Sequence, residues 1–141
     1  MKKHTITLLL LILFCIQVSN SQNIELKYNS IDEICNLSSD KIVANNIEEI
    51  KKLTDCNFLR FDFNKFTIIG IKGSSPGHFI PDINFRISKN IDSKTIDVEV
   101  MLSGGKTCNC RVVKPSYQRM IYIDKIEEDY TYAFKIVNID D

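Results

Sequence analysis

Cysteine and histidine are the residues of this 141-residue chain best suited to redox, metal or nucleophilic chemistry. Beyond residue 21 they are Cys35, Cys56, Cys108, Cys110 and His78. Cys108 and Cys110 stand two apart, a spacing that on a strand puts both thiols on one face and too far apart for a relaxed bridge to each other. In an oxidising compartment an even set of cysteines is first a disulfide framework. This geometry pairs Cys108 and Cys110 with Cys35 and Cys56, or leaves one of each set free. The other use of a Cys-x-Cys pair, redox or soft-metal binding, lacks a second Cys-rich or His-rich cluster to complete a coordination sphere. No metal and no cofactor is expected.

His78 lies four residues before Asp82 in a Gly/Pro-rich stretch. A thiol of Cys108 or Cys110 brought beside its ring would form a nucleophile and base, as in a small exported hydrolase or thiol enzyme. The chain carries no Gly-x-Ser-x-Gly, no His-Glu-x-x-His, no phosphate-binding Gly-rich loop followed by Lys and no EF-hand spacing. A solvated loop histidine is the simpler reading. Asp62, Asp82, Asp97, Glu99 and Asp124 alternate with apolar residues and read as the wet side of a sheet, with no glycosidase-like pair singled out. Among the aromatics, Tyr132 and Phe134 share a strand face with Ile136 and read as core. Tyr117, just after Pro115-Ser116, is expected to be an exposed contact.

The elements that must position these residues are short apolar runs at period two, the mark of half-buried antiparallel strands. They are Ile24–Tyr28, closed by Asn29-Ser30, then Lys41–Ala44, Phe58–Phe63, Phe66–Ile71, Ile83–Ile87, Ile96–Leu102, Thr107–Lys114, Met120–Ile123 and Tyr130–Ile139. One helix is expected over Ile47 to about Thr54. Asn46 caps it, Glu49 stands at the third position, Glu48 and Lys52 form an i,i+4 pair, and Ile47, Ile50 and Leu53 make the buried stripe. Two turns of helix are not stable alone in water, so this one must lie on the sheet. Residues 31–37 show no period and read as loop. The most loop-like stretch is Gly70–Pro81, with three glycines and two prolines. Asn90–Lys94 and Glu127–Asp129 read as turns, and Ser103–Lys106 as a hairpin connection. The expected fold is mainly β (α+β): a curved antiparallel sheet forming a small sandwich or open barrel, with one short helix packed on it.

Residues 1–21 read as a cleavable signal peptide, with Lys2 and Lys3, an apolar centre over residues 8–16 and Ser19-Asn20-Ser21 at the cleavage site. The apolar run is about half the ~20 residues that span a bilayer. Residues 22–141 then form a single domain, with no transmembrane segment in the mature chain, in the periplasm or secreted. Losing Lys2 and Lys3 from 18 basic residues leaves 16 against 18 acidic ones. Without a basic cluster, nucleic acid is not expected as a partner. The Asn36-Leu37-Ser38 sequon is read as coincidence in a chain of bacterial character.

The segment Asp62-Phe63-Asn64-Lys65-Phe66-Thr67-Ile68-Ile69-Gly70 follows a short helix and precedes a Gly/Pro loop and several strands. Over residues 40–139 this order resembles small exported bacterial β-rich proteins of unknown function, distantly similar to the C-terminal domain of the protease-complex subunit PrcB. The resemblance implies a non-catalytic accessory or binding role. The residues by themselves also favour an exported binding or accessory module over an enzyme, acting on another exported or envelope protein as an inhibitor or chaperone-like subunit. Loops on a rigid sheet are a common contact surface, which selects Lys72, Ser74, Ser75, His78, Phe79 and Tyr117, with the Gly104-Gly105 turn, as the binding residues.

Overall fold

Sheet B of the computed structural model, described over residues 22–32, 35–75, 79–107 and 116–139, is buried on both faces, and this arranges the rest of the molecule. Its strands are β2 (Tyr28–Ile31), β7 (Ser116–Asp124), β4 (Phe66–Ser74) and β3 (Lys41–Ala44), in that spatial order. The opposing sheet A runs β1 (Asn23–Leu26), β5 (Phe79–Asn90), β6 (Thr95–Thr107) and β8 (Thr131–Ile139). The molecule is therefore a mainly antiparallel β-sandwich rather than a closed barrel, with a single described helix, α1 (Ile47–Leu53).

The alternation within β4 sets up the layers. Ile69 and Ile71 point into the core between the sheets, where they meet Phe85, Ile87, Ile96, Val98, Val100, Leu102, Ile121 and Ile123. Ile68 points to the opposite face, into a second core with Cys35, Leu37, Ile42, Ala44, Ile50, Phe58 and Met120. Both faces of β4 are covered, so its sequence reads as a continuous apolar run; β5 and β6 are wet on one face and alternate cleanly. Gly70 lets the second core close. A Cβ there would stand 2.7 Å from Ile42 Cγ1 and 3.1 Å from Met120 Cγ, both too close.

Sequence and structure agree on β3 and on α1. The Asn46 side chain accepts from the Glu49 backbone N–H at 2.9 Å, and the Glu49 carboxylate takes the Asn45 N–H at 2.6 Å and the Asn46 amide at 2.8 Å. The paired cation differs: Glu48 meets Lys51 at 3.4 Å rather than Lys52. Asn90–Lys94 is the β5–β6 turn and Glu127–Asp129 an exposed connection, as expected. Two clasps join them, Lys89 to Glu127 at 2.7 Å and Lys94 to Asp129 at 2.8 Å, with both ammonium groups over the Tyr130 ring.

Four expectations are corrected. Phe58–Phe63 is a series of turns. Asn57 and Asp62 side chains accept the Leu59 and Asn64 N–H groups, and such local bonds compete with a sheet ladder. The rings cluster instead, Phe61 lying against Phe58, Phe63, Phe66 and Tyr122 at 4.9–6.0 Å. Most of Gly70–Pro81 is strand rather than loop, since β4 continues through Ser74 and β5 begins at Phe79, residues 76–78 lying outside the described residues. Ser103–Lys106 lies inside β6, where Gly104 and Gly105 adopt φ of 36° and 120° opposite the register shift at Ile80/Asp82. A Cβ on Gly105 would meet the Ile80 carbonyl oxygen at 2.0 Å, so these glycines serve a bulge, not a hairpin. Finally, Asn29 and Ser30 do not end the first strand: the chain changes sheets at Lys27, pairing as β1 with β5 and as β2 with β7.

Among the described strands, β8 is the one departure from antiparallel pairing. It runs parallel to β6, and the connection between them passes through β7 in the other sheet, so no crossover helix is needed. The expected strand at Thr107–Lys114 lies, beyond Thr107, outside the described residues, as does the leader.

Candidate functional site

Because β1 pairs only with Ile87–Asn90, the first two-thirds of β5 has no neighbour on that side among the described residues. β2 in turn pairs with β7 only from Met120 to Ile123. The two sheets thus part at the end where β5 and β7 begin. A cleft of about 600 Å³ opens there, lined by Ile80–Asn84, Ser103 and Ser116–Arg119. A second cleft, of about 580 Å³, lies across β7 on the outer side of sheet B, against Asn36, Leu37, Asp40 and Lys72–Ser74. Ser116, Tyr117 and Gln118 line both and form the ridge between them.

The strand pleat explains the ridge. On β7, Tyr117, Ile121 and Ile123 belong to the inter-sheet core, whereas Met120 belongs to the outer one. Gln118, on the outer side, donates from Nε2 to the Cys35 carbonyl and ties the Cys35 segment to β7. Arg119 donates to Ser30 Oγ at 2.9 Å and forms no salt bridge among the described residues. In the second cleft, Lys72 Nζ donates to the Leu37 carbonyl at 2.6 Å and the Lys72 N–H to the Asp40 carbonyl at 2.9 Å. Burial, and then the Asp40 charge, push the Tyr117 phenol above its ordinary pKa, so it is a neutral hydroxyl at physiological pH.

The outer wall is held by a disulfide between Cys35 and Cys56. This corrects the expected pairing of these cysteines with Cys108 and Cys110, which lie outside the described residues. The two sulfurs meet because Leu37 forms an antiparallel bridge with Thr54 and the Ser38 N–H donates to the Leu53 carbonyl, laying residues 35–38 alongside the helix end. Beside it the Asn36 backbone and side-chain N–H groups both reach the Asp55 carboxylate, at 2.8 and 2.6 Å. They hold that carboxyl below its usual range, the backbone bond being the larger cause.

Of the binding residues chosen from sequence, Lys72, Ser74 and Tyr117 are brought together in the second cleft. Tyr117 is not the exposed contact expected of it. It is 7% exposed, its hydroxyl packed over Gly73, where a Cβ would stand 2.5 Å away. Ser75 is fully buried and offers no surface. Phe79 is exposed at the start of β5, next to Ile80, and His78 lies outside the described residues. Tyr132 and Phe134 pack against the core as expected, while Ile136 on the same face is 43% exposed because β8 is an edge strand. Sequence reasoning missed Asn36, Asp40, Asp82, Asn84, Gln118 and Arg119. The one signal for them was the polar start, Ser116 to Arg119, of a strand that is otherwise apolar.

Among the described residues no three or more His, Cys, Asp or Glu side chains converge to hold a metal ion, and no helix is long and apolar enough to cross a membrane. The class defined by these features is a two-sheet β-sandwich with a disulfide-held helical layer. No protein-family model, curated protein or solved structure matches the chain.

Proposed function

We propose that the protein is an exported binding or accessory module that acts on another protein through the end of the sandwich divided by Ser116–Gln118. One observation carries this reading: hydrogen-bonding side chains from four separate segments converge on a single pair of clefts. They are Asn36 and Asp40, Lys72 and Ser74, Asp82 and Asn84, and Gln118 and Arg119. Mixed donors and acceptors on rigid strands suit a polypeptide segment, whose own groups alternate in the same way. Tyr117, largely buried, forms the floor shared by the two clefts and keeps the polar side chains around it in place. Export accords with the leader over residues 1–21 and with a disulfide, which persists in oxidising compartments. The likeness in element order to the PrcB C-terminal domain points the same way, toward an accessory subunit.

The test is affinity capture from the native exported fraction, followed by binding of the captured protein to Arg119→Glu and Asp40→Lys variants. Both substitutions sit at exposed positions and reverse a charge without touching the core. At least about a tenfold loss of affinity in either variant is the expected outcome for a charge at a contact. A parallel His78→Ala variant is assayed in a broad hydrolase screen. If no protein is retained and His78→Ala abolishes a measured turnover, the accessory reading fails and the thiol-enzyme or hydrolase reading replaces it.

A further inference from the structure

β8 ends sheet A, and it differs from the other edge strands. β1, β2 and β3 have four residues each, whereas β8 has nine. Natural sheets blunt a long edge with proline, a bulge, brevity or an outward charge. The uncovered part of β5 has the first two, at Pro81 and at the Ile80/Asp82 register shift. β8 has neither: it contains no proline and pairs with β6 in unbroken register. Its one charged residue, Lys135, is drawn back across β6, where Nζ lies 3.3 Å from Glu99 Oε1, and Glu99 is also held by Arg86 at 3.1 Å. The inner face of the strand presents Tyr132 and Phe134, half-buried, and then Ile136 at 43% exposure; Ile139 is as exposed on the outer face. From the other sheet, Lys41 reaches over this seam, its Nζ 5.8 Å from the Phe134 ring centre.

We propose that β8 is a homodimer interface, pairing antiparallel with β8 of a second copy about a two-fold axis to form one continuous sheet of eight strands. A second copy is the occupant because its own β8 matches what the edge requires. It is extended over nine residues, apolar at alternate inward positions, and its own single charge, Lys135, is paired with Glu99. Charge also selects the register. Lysines directly opposite one another destabilise a pair, so the axis does not pass through Lys135. An axis at Phe134 sets Tyr132 against Ile136 on the inner face and Lys135 against Ala133 on the outer one. The added strand then covers the exposed Ile136 of each copy. The first cleft lies at the β5 side of the sheet and the second on the outer side of sheet B, so both stay open in each copy.

Sedimentation of the oxidised mature protein from low to high micromolar concentration tests this. The expected result is a concentration-dependent dimer. Ile136→Lys and Val137→Lys, each adding a charge at the seam, should raise the dissociation constant about tenfold or more, with circular dichroism and the unfolding midpoint serving as controls for folding. Glu99→Gln changes no residue of the edge but releases Lys135, and should weaken the dimer in a salt-dependent way. A wild-type protein that is monomeric throughout overturns the proposal, as does a dimer indifferent to all three substitutions. If a lysine variant fails to fold, the Glu99→Gln measurement decides.

Discussion

Cys35 and Cys56 are joined across 21 residues of sequence with their Cα atoms 5.3 Å apart, and the loop they close contains both β3 and α1. The bond thus fastens the Cys35 segment to the chain after the helix, and Gln118 and Lys72, bonded to the Cys35 and Leu37 carbonyls, hold that segment to sheet B. Restricting an unfolded loop of this length is worth about 3 kcal/mol. Reduction, or a Cys35→Ser/Cys56→Ser double change, is expected to lower the stability in denaturant by about that amount. Mass spectrometry after thiol alkylation checks the bond itself: both cysteines should resist alkylation in the oxidised protein.

Thr67 lies in the buried polar joint between sheet B and the chain after β7. Its hydroxyl donates to Asn45 Oδ1 at 2.7 Å and accepts the Ile126 N–H at 3.2 Å. Thr67→Val keeps the shape but strands a buried donor. The expected cost is about 1–3 kcal/mol, read from chemical unfolding, whereas Thr67→Ser should retain most of the stability.

Tyr132 is the converse case. Its hydroxyl is buried without a hydrogen-bond partner among the described residues, and burial pushes its pKa up to about 12; nearby Thr67 favours the phenolate but commits its own proton to Asn45. The folded state therefore holds a proton that the unfolded chain releases near pH 10. The stability attached to this group is complete below about pH 10 and is lost as pH rises through about 12. Tyr132→Phe should be neutral or stabilising at pH 7 and should flatten the alkaline limb. A variant destabilised at pH 7 would show that the hydroxyl has a partner after all.

Gly70→Ala and Gly73→Ala separate packing from the candidate site. At Gly70 the new methyl meets the Ile42 and Met120 side chains inside a core, and a loss of about 1–3 kcal/mol is expected in thermal or chemical melts. At Gly73 it meets the tip of Tyr117, which can swing aside into the clefts. Gly73→Ala should therefore cost less stability than Gly70→Ala but reduce binding of the captured partner, measured side by side.

The sequence by itself determined what depends on neighbours in the chain. Asn46 followed by Glu49 specifies the helix start, and Lys41–Ala44, Phe66–Ile71, Ile83–Ile87 and Ile96–Leu102 are strands by their apolar spacing, with the Asn90–Lys94 turn between the last two. Lys72 and Ser74 read locally as loop residues, whereas they lie in β4, paired with Gln118 and Ser116. Tertiary structure decided what depends on contacts between distant residues. The alternation of Ile24–Tyr28 reads as one strand ended by Asn29-Ser30; only the separate partners β5 and β7 divide the run at Lys27 and carry it on to Ile31. Period-two spacing at Phe58–Phe63 describes a strand until Phe61 finds Phe66 and Tyr122. Gly70 and Gly105 look like turn residues, yet they lie in strands because backbone and side chains from elsewhere approach too closely to admit a Cβ. Tyr117 is buried in the inter-sheet core with its hydroxyl over Gly73, and Cys35 reaches Cys56 through the way residues 35–38 lie on β7 and the helix end. These are packing decisions, made where segments far apart in the chain exclude water together, and no local pattern encodes them.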